Sequence, residues 1–186
     1  MGGIAIWCMH FIGNRAIVLA GGDARVQISY SSVFTAVSFF IPIIVLFLAF
    51  LAVGLNDKVS VFRIALGGAL AGLGVCGMHY LGQAGISNYD CVYVIANVVG
   101  AAVIAVVASI IALGIFFMFR STWASSWWKR ALCAVILAGA VSGMHWLASI
   151  GTQYRLKSIN PTASNSISRN STVIVVLVLV SHVLLR

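Results

Sequence analysis

Residues 64–89 read IALGGALAGLGVCGMHYLGQAGISNY, a run that contains no Asp, Glu, Lys or Arg. An α-helix needs about 20 apolar residues to cross the hydrocarbon core of a bilayer, so this run is long enough for one complete span. Three further uncharged runs are also long enough, at residues 26–56, 91–119 and 131–154. We therefore predict four full transmembrane helices, at about 32–55, 64–86, 92–119 and 131–151.

The composition indicates a lipid environment for the rest of the chain as well. Hydrophobic residues make up 62% of the sequence and charged residues only 8%, and the mean hydropathy is +1.10. A soluble domain of 186 residues has too little interior to bury so much apolar side chain. We predict an all-α protein, a polytopic transmembrane helical bundle that forms a single domain over residues 1–186.

Two shorter apolar pieces flank the four spans, at residues 2–13 and 173–185. Each is too short to cross a bilayer unaided. We interpret both as partial terminal spans, and we expect the natural chain to be longer at both ends.

The basic residues indicate orientation rather than nucleic-acid binding. The net charge is +8, but Lys and Arg lie in the short connections, where they normally retain a loop in the cytoplasm. We expect the lipid bilayer and no nucleic acid as a partner. The first, third and fifth helices end on one side, here called face M. Basic residues are less dense there, so we predict that face M is exoplasmic and that the protein lies in the plasma membrane.

A threefold repeat carries the functional information. The triplets Met9-His10-Phe11, Met78-His79-Tyr80 and Met144-His145-Trp146 are separated by 69 and 66 residues, which is two crossings plus their loops. Each repeat is therefore predicted to be a helical hairpin that returns to face M. Because the first, third and fifth helices then run parallel, the three histidines and three methionines share one layer, one to two helical turns below face M.

This layer has the chemistry of a metal site. An imidazole inside a membrane is costly and indicates function; imidazole binds copper, zinc or iron, and thioether sulfur favours Cu(I). Neighbouring Met and His side chains point about 100° apart, so each helix would offer whichever ligand faces the bundle axis. One such His alone would be read as a packing residue, but its threefold recurrence favours a shared site. The candidate ligands are Met9, His10, Met78, His79, Met144 and His145.

The sequence also argues against catalysis and proton pumping. Its three acidic residues, Asp23, Asp57 and Asp90, all lie in predicted loops. A proton pump or cation-coupled transporter usually carries a carboxylate inside the membrane. We predict that the protein is not an enzyme and has no catalytic residue. The cysteines Cys8, Cys76, Cys91 and Cys133 follow no pairing pattern, and we expect no disulfide framework.

Four interpretations of the His/Met layer remain open at this stage. The first is a metal-dependent sensor or signalling input domain, with copper as the expected metal and a cytoplasmic partner that receives the signal. The second is a membrane redox protein that binds haem between two histidines. The third is a metal transporter that uses the same residues as a transient relay. The fourth is a purely structural bundle.

The three motifs resemble the MHYT domain, a membrane-integral sensory module named for its Met-His-Tyr-Thr motif. The resemblance rests on GLGVCGMHY at 72–80 and AGAVSGMHW at 138–146, and MHFIGNRAI at 9–17 looks more like fungal members. It implies six or seven helices and copper bound near the outer face by the Met and His residues named above. It also implies sensing of a diatomic gas such as oxygen, carbon monoxide or nitric oxide. Phe11 and Trp146 replace the motif's Tyr, and its Thr is absent from all three copies.

Overall fold

The computed structural model describes residues 2–23, 26–54, 60–118, 127–159 and 166–184. These residues form an all-helical bundle with two short β-ribbons at one end. The helices are α1 (Gly2–Arg15), α2 (Ser32–Gly54), α3 (Val61–Ala84), α4 (Ile95–Met118), α5 (Trp127–Ile150) and α6 (Arg169–Leu184).

Three of the described helices, α2, α3 and α4, are long and apolar enough to cross a membrane. The fourth predicted span lies on α5, whose described apolar part, Ala134–Ile150, is shorter than the other three. The prediction of four full spans is therefore confirmed for three helices only. The two terminal pieces form α1 and α6, of 14 and 16 residues.

The small residues of α3 predict an inner helix, and α3 is the most buried of the three long apolar helices. Half of its apolar window is buried, against 22% for α2 and 17% for α4. At Gly68 and Gly72 the backbone of α4 comes so close that an added Cβ would lie 2.5 Å from the Cα atoms of Ile110 and Val106. This close packing fixes the position of His79, which α3 carries near its end.

The small residues of α5 do not have the same role. Small residues let helices approach closely and so predict that α5 is an inner helix too, but Ala134, Ala138 and Gly139 are exposed. A Cβ added at Gly139 would meet no described atom within 4 Å, so no described helix packs there. Only the end of α5 near face M is buried, at Met144, His145 and Ala148.

The connections on face M contain β-structure that the sequence did not predict. Strand β1 (Ser29–Ser31) pairs with β4 (Ser166–Ser168), and β2 (Tyr89–Tyr93) pairs with β3 (Thr152–Leu156), both antiparallel. Helix α4 consequently begins at Ile95 and not near Val92. We call these four strands and the residues that join them to the helices the cap.

Hydrogen bonds tie the face-M connections together. The Asn88 side chain accepts from the backbone N–H of Ser29 at 3.0 Å and donates to the Gln27 carbonyl at 2.7 Å. The Tyr89 hydroxyl donates to the Val26 carbonyl at 2.6 Å, and the Lys157 N–H donates to the Asn88 carbonyl at 2.9 Å. The cap is thus one hydrogen-bonded unit at the helix ends that carry the repeated motif.

Candidate metal centre

The three motif histidines meet in the centre of the bundle. The Nδ1 atom of His79 lies 3.1 Å from Nδ1 of His10 and 3.2 Å from Nδ1 of His145. The three rings are 4.9, 5.1 and 5.3 Å apart, centroid to centroid, and cross nearly at right angles. One nitrogen from each residue lies within 4.8 Å of the other two. The prediction that the three imidazoles share a layer is therefore confirmed.

Glycines of neighbouring repeats provide the space for two of these rings. A Cβ added at Gly82 of α3 would collide with Nε2 of His10, and one added at Gly13 of α1 would collide with Nε2 of His145. Both glycines stand three residues after their own histidine, in the next helical turn. Each of these two rings therefore extends to a neighbouring helix and packs one turn after the histidine of that helix. Its Nδ1 atom faces His79.

The centre is closed to solvent. His10 and His79 have no exposed surface, and His145 has 7%. Burying a polar ring is costly unless its nitrogens are paired or bound to a metal. Nε2 of His79 has no hydrogen-bond partner among the described residues, and Nε2 of His10 has the side-chain amide of Asn14 at 3.2 Å.

The three motif methionines are spread over different parts of the bundle. Met78 lies in a buried apolar cluster with Trp7 and Phe11, and Met144 lies in another with Val75 and Cys76. Met9 lines a cavity of about 360 Å³. This divergence follows from the 100° between adjacent residues on a helix. Metal binding by the methionines, as by the histidines, stays a prediction.

The nitrogen spacing fits a metal ion. Zinc binds imidazole nitrogen at about 2.0–2.1 Å, and a trigonal or tetrahedral ion then holds its ligands about 3.3–3.5 Å apart. The two measured Nδ1 separations, 3.1 and 3.2 Å, differ from this by a few tenths of an ångström. Among the described His, Cys, Asp and Glu residues, these three histidines form the one group of three whose ligand atoms lie within 4.8 Å of one another.

Hydrogen bonds between the rings account less well for the arrangement. Both short contacts use the same atom, Nδ1 of His79. A ring nitrogen of neutral imidazole is either a donor or an acceptor, with one hydrogen or one in-plane lone pair. It therefore cannot make two good hydrogen bonds in different directions, whereas a metal ion accepts all three Nδ1 lone pairs at once.

Polar groups of the cap lie next to the helix ends. The Tyr154 hydroxyl accepts a hydrogen bond from Nε2 of Gln83 at 3.1 Å, and the Cys91 thiol donates to the Gln83 carbonyl at 3.8 Å. Burial raises the pKa of Tyr154 to about 12 and that of Cys91 to about 11. Both groups are therefore protonated at neutral pH.

The sequence reading missed one set of residues at the centre. Each histidine is followed four residues later by a polar residue, namely Asn14, Gln83 and Ser149. All three have a buried side-chain oxygen without a hydrogen-bond partner in the described part of the chain. The signal was visible as a polar residue at the same spacing in every repeat, but the three residue types differ.

Comparisons with known proteins agree with the repeat. The MHYT family, described as "Bacterial signalling protein N terminal repeat", matches residues 3–67 and 72–128, more than half of the chain. These ranges include the first two motifs; the third, at 144–146, follows the same pattern outside them. No solved structure gives a significant match.

Two curated relatives are signalling proteins. The bifunctional diguanylate cyclase/cyclic di-GMP phosphodiesterase MucR of Pseudomonas aeruginosa is 29% identical over 182 residues, which cover 95% of this chain and 25% of the relative. Signaling protein YkoW of Bacillus subtilis is 22% identical over 165 residues, or 88% of this chain and 20% of the relative. The chain thus spans a quarter or less of the length of these relatives.

Proposed function

The chain belongs to the MHYT family of signalling-protein repeats, and from this premise we propose that it is a sensory input domain that binds copper through His10, His79 and His145. The observation that carries this proposal is the convergence of three buried imidazoles, with one nitrogen from each within 4.8 Å of the others and Nδ1 of His79 3.1 and 3.2 Å from the other two Nδ1 atoms. Copper is the first choice because imidazole suits it and because the family resemblance implies it.

The same centre supports a sensory role. Three protein ligands leave an open position on a metal ion, and copper there would bind a diatomic gas such as oxygen, carbon monoxide or nitric oxide. His10, His79 and His145 lie on three different helices, α1, α3 and α5. A change at the centre therefore acts on three helices at once, and we propose that a cytoplasmic partner or domain reads the altered packing.

Orientation is part of the proposal. The cap lies at the ends of α1, α3 and α5 that carry the histidines, and we propose that this side faces the outside of the plasma membrane. The relatives are four to five times longer than the matched segment. We infer that the partner or domain receiving the signal is attached or associated on the opposite side.

Metal analysis of the purified protein tests the function. Wild-type protein in detergent or nanodiscs is expected to hold about one copper ion per chain, since three nitrogen ligands make one site. Replacing His10, His79 and His145 by Ala should abolish this loading. His182→Ala is the matched control, because His182 is exposed on α6 and lies outside the repeat.

The outcome separates the metal centre from a structural bundle. Equal copper content in the wild-type protein and the triple histidine variant would refute the proposal. Folding of the triple variant is checked by its helical circular dichroism and by gel filtration, so that lost copper is not confused with lost structure.

The geometry favours a bound copper ion over haem binding and over metal transport. A haem needs two ligands on opposite sides of a wide planar ring, whereas these rings cross one another at centroid distances of 4.9–5.3 Å. A transporter needs polar groups that continue through the bundle, and the cavity beside Met9 is lined by apolar residues apart from Ser109 and Ser142. A Soret absorption band, or metal uptake into sealed vesicles, would reverse this preference.

A further inference from the structure

Three unpaired oxygens accompany the three histidines. They are Oδ1 of Asn14, Oε1 of Gln83 and Oγ of Ser149, and none has a hydrogen-bond partner within the described residues. Asn14 and Gln83 are each only 1% exposed. A buried polar atom without a partner costs about 1–3 kcal/mol, so three of them at equivalent positions of a repeat call for an explanation.

Helix geometry places each of these residues over the histidine of its own repeat. Residues four apart lie on the same face of a helix, and side chains tilt toward the N-terminus. The side chain at the fourth position therefore starts one turn after the imidazole and on the same face of the helix. For Asn14 a contact with the imidazole is present, with its amide nitrogen 3.2 Å from Nε2 of His10.

Metal binding through Nδ1 would make Nε2 a hydrogen-bond donor that requires an acceptor. A neutral histidine that gives its Nδ1 lone pair to a metal carries its hydrogen on Nε2. Metal-binding histidines almost always donate this second N–H to an oxygen acceptor, which fixes the tautomer and the ring orientation. Three ligating histidines thus require three acceptors, and the three unpaired oxygens supply that number.

For Asn14 the required change is small. The oxygen and nitrogen of a side-chain amide are assigned from the hydrogen-bond network, and a half-turn of the amide exchanges them. With that half-turn Oδ1 of Asn14 takes the position 3.2 Å from Nε2 of His10. One rotation therefore pairs the unpaired oxygen with the N–H that metal binding creates.

Gln83 extends the arrangement to the cap. Its amide nitrogen donates to the hydroxyl of Tyr154 on β3 at 3.1 Å, which leaves Oε1 free. The Nε2 atom of His79, one turn earlier on the same helix, is buried and has no hydrogen-bond partner among the described residues. Gln83 is thus held from the cap side, and its oxygen without a partner lies one helical turn after the histidine whose Nε2 also lacks one.

We propose that Asn14, Gln83 and Ser149 are positioning residues that accept Nε2–H of His10, His79 and His145, so that all three histidines bind the metal through Nδ1. This inference rests on the proposed function, because it concerns how the same centre is held. The inference extends the repeated motif to the fourth residue after each histidine, as H-x-x-x-[N/Q/S]. It also predicts that Nδ1, and not Nε2, is the metal ligand.

The first experiment measures Cu(I) affinity by competition with a chromogenic chelator. Removal of such an acceptor typically lowers metal affinity 10- to 100-fold, so Asn14→Leu should lose about that much. Asn14→Asp keeps an acceptor oxygen and should bind as tightly as the wild type or more tightly. Asn97→Leu is the matched control, because the Asn97 amide donates to the Leu147 carbonyl at 3.1 Å and not to a histidine; its affinity should stay close to that of the wild type.

A milder variant guards against misfolding. Ser149→Ala removes one oxygen atom that has no partner among the described residues of the metal-free protein, so it should lower Cu(I) affinity without lowering the unfolding midpoint of the metal-free protein. Ser142→Ala, on the same helix but exposed to the cavity beside Met9, should leave both quantities unchanged. If Asn14→Leu and Ser149→Ala both bind Cu(I) like the wild type, the inference is wrong.

The second experiment reads the tautomer directly. Protein labelled with ¹⁵N-histidine and loaded with Cu(I), which is diamagnetic, should show three histidines with a protonated Nε2 and a ligated Nδ1. Ligation through Nε2 would overturn the inference while leaving copper binding intact. A wild-type protein that binds no Cu(I) at all would instead refute the proposed function, so the two failures are distinguishable.

Discussion

At the scale of single residues, the histidine layer depends on two glycines. Gly82 and Gly13 have no side chain where the rings of His10 and His145 lie, and even a methyl group at either position would collide with an imidazole nitrogen. A tightly packed interior tolerates added volume poorly, because rings and backbones must move to accommodate it. The glycines therefore determine where the three Nδ1 atoms meet.

Gly82→Ala is expected to displace His10 and to reduce copper loading at least tenfold, because metal sites require their ligands within a few tenths of an ångström. The matched control is Gly77→Ala on the same helix, where an added Cβ meets no described atom within 4 Å. That control should load copper normally and gain about 0.5–1 kcal/mol of stability, as Ala replaces Gly in a helix. Copper analysis and unfolding of both variants check this, and equal copper loading in both would contradict it.

The sequence could predict the histidine layer but not its partners. His10, His79 and His145 recur in one short motif at nearly equal spacing, and parallel helices turn equal spacing into equal depth. Asn14, Gln83 and Ser149 occupy a repeated position too, yet their residue types differ. Whether a polar side chain there is paired depends on contacts between helices, which no local pattern records.

At the scale of secondary structure elements, α3 holds the bundle together through its contact with α4. Without a hydrophobic driving force between helices in lipid, close packing of small residues provides much of their association. Gly68 and Gly72 let the α4 backbone approach, at Ile110 and Val106. This contact positions the helix that carries His79 and Gly82, so a change there should affect the metal centre from a distance.

Gly72→Ala is expected to destabilise the bundle by about 1–3 kcal/mol, because its Cβ would lie 2.6 Å from the backbone nitrogen of Val106, and overpacking of a tight contact costs about that much. Gly114→Ala on α4 is the control, since its nearest described neighbour, Cγ2 of Ile64, is 3.8 Å away. Unfolding by SDS titration in mixed micelles measures both. A Gly72→Ala variant as stable as Gly114→Ala would show that the close contact is not needed.

The helices were easier to predict than the strands. Uncharged runs longer than a bilayer crossing predict α2, α3 and α4 to within a few residues. The strands are three to five residues long, and β1 pairs with β4 across most of the chain, Ser29 with Ser168. Such short segments have no helical or alternating pattern long enough to detect, and their pairing depends on the helices that bring them together.

At the scale of the whole molecule, the cap and the histidine centre lie at the same end of the helices. The strands lie in the α1–α2, α3–α4 and α5–α6 connections, so the pairs β1–β4 and β2–β3 link the segments that leave and enter all six described helices. The cap therefore covers the ends of α1, α3 and α5 nearest the histidines. Which side of the membrane the cap faces decides whether the centre samples the outside or the cytoplasm.

Cysteine labelling can determine this orientation because the native cysteines that remain are expected to react slowly at neutral pH. Burial raises the pKa of Cys91 from 9.0 to about 11, so its reactive thiolate is about a hundredfold scarcer at neutral pH than that of an unperturbed thiol. Cys8 and Cys76 are buried, and Cys133 is replaced by Ser. Labelling of Cys91 should rise as the pH approaches 11, where the thiolate forms, and should be slow at pH 7.

Gln153→Cys introduces an exposed thiol on the cap, and Trp127→Cys introduces one at the opposite end of α5. If the cap is exoplasmic, a membrane-impermeant maleimide added to right-side-out spheroplasts at pH 7 should label Gln153→Cys at once and Trp127→Cys only after permeabilisation. The reverse pattern would place the cap in the cytoplasm and would make the histidine centre a detector of the cell interior. Since Trp127 and His145 lie on the continuous helix α5, and Gln153 lies on β3 three residues after the end of that helix, the result orients the proposed metal centre together with the cap.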